Sequence, residues 1–114
     1  MSGRLSPSAL GRVSKPKEKN IQDPVVAYAR SLGCVAIKLS TLGRFGTSGW
    51  PDFELLHSGR TLFIEFKAPG GVCTPLQLER HAQLRAVGHT VTVVSDVATG
   101  KLVVEHFIQP RRTL

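Results

Sequence analysis

The sequence predicts a single α/β domain in the order α-β-β-β-α-β, a mixed β-sheet flanked by helices. Three observations predict it. Apolar residues recur at helical spacing at Ile21, Val25, Ala29 and Leu32. An apolar run after Asp52 and another from Thr61 to Lys67 flank the turn residues His57-Ser58-Gly59-Arg60, the pattern of a hairpin. A second helix signal at Thr74-Pro75-Leu76-Gln77 is followed by valine-rich alternation from His89 to Ser95.

Size and charge set the bounds. With 114 residues and 41% hydrophobic content there is room for one domain and one core. The net charge of +7 points to a polyanionic partner, because a positive surface attracts phosphate backbones and speeds encounter. Nucleic acid is the commonest such partner. An anionic membrane is set aside, since the chain has neither a basic amphipathic helix nor a long apolar run. Two cysteines, Cys34 and Cys73, without C-x-x-C spacing suggest neither a disulfide framework nor a thiolate zinc site. The N-terminus has no uninterrupted apolar segment of the secretory kind, so an intracellular protein is the expectation.

Taken in order, residues 1–16 mix Ser, Gly, Pro and Arg without apolar periodicity and read as a flexible basic arm. Arg4, Arg12, Lys15 and Lys17 make it a candidate nucleic-acid contact; the alternative is an untethered tail. The folded domain is expected over residues 17–108, and residues 109–114, with Arg111 and Arg112, form a short basic tail. The first helix runs through Ile21 to Leu32 and stops at Gly33. Pro24 leaves its start open: either Asp23 caps a helix with Pro24 at the first position, or Pro24 is interior and costs a hydrogen bond.

Cys34 to Leu39 reads as the first strand, with Lys38 at its end within reach of a phosphate. Thr41 to Trp50 is a glycine-rich loop without the G-K-[ST] ending of a phosphate-gripping loop, so no nucleotide cofactor is expected. Arg44 can meet a phosphate there, and Trp50 or Phe45 a base or sugar, though Trp50 also suits a packing role. After the hairpin, Ala68-Pro69-Gly70-Gly71 breaks the strand. Thr74 then caps the second helix with Pro75 at its first position, and T-x-x-Q is itself a capping box. Gln77, His81 and Leu84 fall on one stripe of that helix. His89 to Ser95 is the fourth strand, and Lys101 to Ile108 is expected to be a fifth after an Ala98-Thr99-Gly100 turn.

The chemistry concentrates in the hairpin. Side chains alternate along a strand, so Glu65 and Lys67 share a face while Leu62, Ile64 and Phe66 take the other. The turn folds Asp52 back toward Glu65, within reach of a common metal ion. Two carboxylates in apolar surroundings call for a cation, and hard oxygen donors suit Mg²⁺ or Mn²⁺. A neighbouring lysine can orient or activate a water. The bland alternative is an exposed Glu65–Lys67 pair on the wet face of a strand.

The spacing Pro51-Asp52, then Glu65-x-Lys67 on the next strand, resembles the PD-(D/E)xK nuclease superfamily. The ordered set Glu18-x-x-Ile21-Gln22, Gly49-x-Pro51-Asp52, Phe63-Ile64-Glu65-Phe66-Lys67 and Thr74-Pro75-x-Gln77 is similar to the virus-type replication-repair nuclease (VRR-NUC) family. The similarity covers roughly residues 17 to 95. It implies a restriction-endonuclease-like core and a Mg²⁺-dependent endonuclease, with Mn²⁺ an expected substitute. It also implies metal ligation by Asp52, Glu65 and the Phe66 carbonyl, and a catalytic set of Asp52, Glu65, Lys67, Gln77 and Glu18. Stand-alone members look like junction-resolving enzymes, which implies four-way DNA junctions as substrate, a homodimer, and the host cytoplasm for a viral member. Flaps or other branched DNA are the alternative substrates. A non-catalytic basic binding module and a plain α/β scaffold are the rival readings from other classes.

Overall fold

The computed structural model describes residues 17–39 and 48–110. Within them the elements are α1 (Glu18–Ser31), β1 (Val35–Lys38), β2 (Phe53–His57), β3 (Arg60–Phe66), α2 (Pro75–Ala86), β4 (Thr90–Val94) and α3 (Val97–Ile108).

α1 buries Ile21, Val25, Val26 and Ala29 along one side and contains Pro24 in its interior. The open question about Pro24 is therefore answered: the helix begins a turn and a half before it. The missing N–H leaves the Asn20 carbonyl without its usual partner, a loss that burial of the apolar stripe outweighs. The helix ends where Gly33 adopts a φ of +92°, with the Gly33 and Cys34 amides donating to the Arg30 and Ala29 carbonyls.

The strands form one mixed sheet in the order β1-β2-β3-β4. β1, β2 and β3 are mutually antiparallel, and β4 lies parallel to β3 after the crossover through α2. The β2–β3 connection is tight because its two central residues, Ser58 (φ 51°) and Gly59 (φ 74°), both take the left-handed conformation that matches strand twist.

Alternation divides β3 between two cores. Leu62, Ile64 and Phe66 join Phe53 and Leu55 against α1 and α3 in the main core, while Phe63 joins Leu84 and Val91 in a smaller cluster under α2. The rings of Phe53 and Phe66 meet edge to face at 6.2 Å. Glu65 has the parity of Phe63, so it faces α2.

The expected fifth strand is a helix. Lys101 to Ile108 belongs to α3, which opens at Val97 with the Asp96 carboxylate accepting a hydrogen bond from the Thr99 amide at 2.7 Å. Valine-rich composition suggested a strand, but the buried positions are Gly100 and Val104, a helical interval. Ala98-Thr99-Gly100 is accordingly the first turn of that helix. A Cβ on Gly100 would lie 2.5 Å from Val25 Cγ2 and 3.0 Å from Val94 Cγ1, so glycine lets α3 settle directly on α1 and β4. Among the described residues no helix is long and apolar enough to cross a membrane.

Candidate active site

Asp52 immediately precedes β2. Continuing the β2–β3 register one step beyond Phe53↔Ile64 sets Asp52 opposite Glu65. Its backbone is held from the β1 side, where the Leu39 amide donates to the Asp52 carbonyl at 2.8 Å. Its side chain extends the ladder: Asp52 Oδ2 accepts a hydrogen bond from the Phe66 amide at 2.7 Å. In an extended strand the N–H and C=O of one residue point to the same edge, so the Phe66 carbonyl also lies on the Asp52 side of β3. Lys67, half-buried, follows directly, its amide tied to the Val94 carbonyl at 3.0 Å.

Glu65 is only 1% exposed. Two residues of α2 meet it, one turn apart. Gln77 Nε2 donates to Glu65 Oε2 at 3.4 Å, and His81 Nε2 lies 3.4 Å from Glu65 Oε1. Gln77 also completes the capping box, since Thr74 Oγ1 accepts from the Gln77 amide (3.1 Å) and Gln77 Oε1 accepts from the Thr74 amide (2.8 Å). Capping and site contact, posed as alternatives by the sequence, coexist because the two ends of the amide serve different partners.

Burial above all, and then the charge and hydrogen bond of Asp52, push the Glu65 carboxyl up to about 8; Lys67 opposes this and Glu18 adds to it. Burial, followed by the charges of Arg85 and Lys67, lowers the His81 pKa and favours the neutral ring. Two opposed carboxylates, one of them resisting ionisation for want of a counter-charge, are a fitting donor set for a hard divalent cation. Among the described residues no three His, Cys, Asp or Glu side chains form a closed cage. Asp52, Glu65 and the Phe66 carbonyl can supply three oxygens and leave the other positions to water and substrate, as Mg²⁺ prefers.

The remaining candidates spread outward from this centre. Glu18 is exposed in the first turn of α1, near enough to influence Glu65. Lys17 is exposed just ahead of that helix. Lys38 is exposed at the end of β1 and lines a groove of about 340 Å³ with Lys19, Arg30 and Phe53. A larger cavity of about 670 Å³ lies at the opposite end of β3 and β4, against α3, and none of the site residues lines it. Trp50 packs half-buried on the Phe63 cluster. Lys15 and Arg44, with Arg4, Arg12 and Phe45, lie outside the described residues. His81, one turn beyond Gln77 and open from sequence to a phosphate, a proton or plain packing, is buried against Glu65.

No family model matches the chain. It is 40% identical over 81 residues to the protein named "Putative nuclease p44" of Acyrthosiphon pisum secondary endosymbiont phage 1, an alignment covering 70% of this chain and 84% of that one. A solved "VRR_NUC domain" matches its fold with a TM-score of 0.69 at 27% identity, covering 81% of this chain and 99% of the other. With the acid-acid-lysine hairpin, the α2 glutamine and the mixed sheet, these similarities lead to one conclusion: the chain belongs to the virus-type replication-repair nuclease (VRR-NUC) family of the PD-(D/E)xK superfamily.

Proposed function

We propose that the protein is a Mg²⁺-dependent, structure-specific DNA endonuclease that cleaves four-way junctions as a homodimer. The observation that carries the reading is the pairing of Asp52 with buried Glu65 across the last step of a hairpin, with Lys67 at the strand end. When bound between these carboxylates, a divalent ion supplies charge that acidifies a nearby water and neutralises the phosphate oxygens. Asp52 and Glu65 hold it; the hydrogen bond from the Phe66 amide fixes Asp52, and Gln77 fixes Glu65. Lys67 orients the attacking water and counters charge that grows on the phosphoryl oxygens. The water gives up a proton to solvent as its oxygen bonds to phosphorus, the bond from phosphorus to the 3′ oxygen breaks, and that oxygen takes up a proton from solvent, leaving a 5′-phosphate and a 3′-hydroxyl. Glu18 flanks the site from α1.

Lys17, Lys38 and the basic N-terminal arm with Lys15, together with Arg44, are assigned to the DNA backbone, consistent with the net charge of +7. Symmetric resolution of a junction needs two sites on opposed strands, which a two-fold dimer provides. The test is cleavage of a labelled four-way junction, beside flap and duplex controls, with Mg²⁺, with Mn²⁺ and with EDTA. Asp52→Asn and Glu65→Gln are expected to abolish cutting while junction affinity in EDTA stays within about twofold, because ligation is lost and the basic surface is kept. Wild-type turnover by either variant removes that residue from the site, and junction binding without cutting in either metal supports a binding module instead.

A further inference from the structure

Among the described residues only two polar or charged side chains are buried, Glu65 and His81, each 1% exposed, and they touch. Glu65 acts as a ligand, and His81 has no part in that chemistry as a ligand or a base. Position 81 lies on the stripe of α2 that also buries Leu84, a place where a leucine would pack with no polar group to satisfy. An imidazole there needs a partner, and the partner present is Glu65 Oε1, 3.4 Å from Nε2. With Glu65 ionised as a ligand, its oxygens only accept, and Nε2 is then the atom that donates. Gln77 meets the other oxygen, Oε2, one turn earlier on the same helix.

We propose that His81 is a positioning residue for the divalent-cation site. Together with Gln77 it grips both oxygens of Glu65 from α2, fixes the plane of that carboxylate opposite Asp52, and so sets how tightly the protein holds the ion. The inference rests on the reading of Asp52 and Glu65 as metal ligands. The two grips are rigid relative to each other, because the Thr74 capping box anchors the start of α2 and Leu84 anchors the turn after His81. Both contacts are long at 3.4 Å.

The experiment is Mn²⁺ titration of the full chain by calorimetry, without DNA, on wild type, His81→Leu and His81→Gln. Leucine fills the slot without a donor, whereas glutamine restores one. Partners of metal ligands are worth about 10- to 100-fold in metal affinity, and a loss of that size is expected for His81→Leu, with most of it recovered in His81→Gln. Junction affinity in EDTA is expected to match wild type in both variants. Mn²⁺ affinity within twofold of wild type for a folded His81→Leu overturns the inference while leaving the metal site standing. If His81→Leu fails to fold, His81→Met, which also fills the slot without a donor, decides: a tenfold loss of Mn²⁺ affinity in the folded protein supports the positioning role, and affinity within twofold of wild type overturns it. Wild type that binds no Mn²⁺ overturns the metal-site reading and this inference with it.

Discussion

Glu65 is held under opposing demands: removed from water, set against a second carboxylate, and gripped by neutral donors. The consequence for stability has a definite sign. Its pKa lies near 8 in the fold, above the 4.5 of an unperturbed carboxyl, so the metal-free fold binds a proton that the unfolded chain releases. That contribution is complete below the unfolded pKa and is lost as pH climbs through about 8. Thermal denaturation in EDTA is therefore expected to show a falling Tm across this window, with Glu65→Gln flattening the fall and Mn²⁺ reversing it at the alkaline end. A Glu65→Gln profile that parallels wild type would refute the assignment. Lys67 is tested separately: Lys67→Ala is expected to slow single-turnover cleavage by about 10²- to 10³-fold through lost charge stabilisation, and a change under about threefold would make it a structural ion-pair partner. Asp52, Glu65 and Lys67 were legible in the chain because strand parity and a two-residue turn bring them together locally. The grip of His81 on Glu65 was not, because it depends on which stripe of α2 meets the sheet.

Helices and strands carry their own tests. In α3, Gly100→Ala would add a methyl against Val25 and Val94, both fully buried and too stiff to yield. Overpacking of this kind costs about 1–3 kcal/mol, more than the gain of up to about 1 kcal/mol in helix propensity, so a Tm lower by several degrees is expected in calorimetry. The same glycine explains why a strand was expected here. Val, Thr and Gly favour strands and turns taken one at a time, and only docking on α1 selects the helical interval. At the start of α2, Thr74→Ala removes one half of the capping box and is expected to cost about 1 kcal/mol in urea denaturation. The Thr74 amide still meets Gln77 Oε1 in that variant, so cleavage should fall by less than about threefold; a large loss would mean the hydroxyl itself aims Gln77.

For the whole molecule the governing quantity is charge. With 15 basic and 8 acidic residues, junction binding in EDTA is expected to weaken steeply with salt, by a log–log slope of about −0.9 for each phosphate contacted. A flat salt response would remove the nucleic-acid reading and favour a scaffold. The groove beside Lys38 also carries Arg30 and Lys19, the latter paired with Asp23 at 2.9 Å, so the folded part keeps cations outside the N-terminal arm. Deleting residues 1–16 should therefore lower affinity without abolishing it. Sedimentation is expected to report a dimer, and a strictly monomeric protein that still cuts both junction strands symmetrically would contradict the two-site model.

What depends on neighbours in the chain could be read from the residues alone: the first helix, the hairpin, the capped second helix and the convergence of two acids and a lysine. These follow from periodicities of two and of three to four residues and from turn chemistry, all local and backbone-determined. Contacts across the fold decided the rest. Burial of one apolar stripe carried α1 through Pro24, the meeting of Gly100 with Val25 made the last element a helix, and the seating of α2 on β3 turned a buried histidine toward Glu65. Each of those outcomes turns on which surfaces pack together, and packing joins residues far apart in sequence that local rules leave independent.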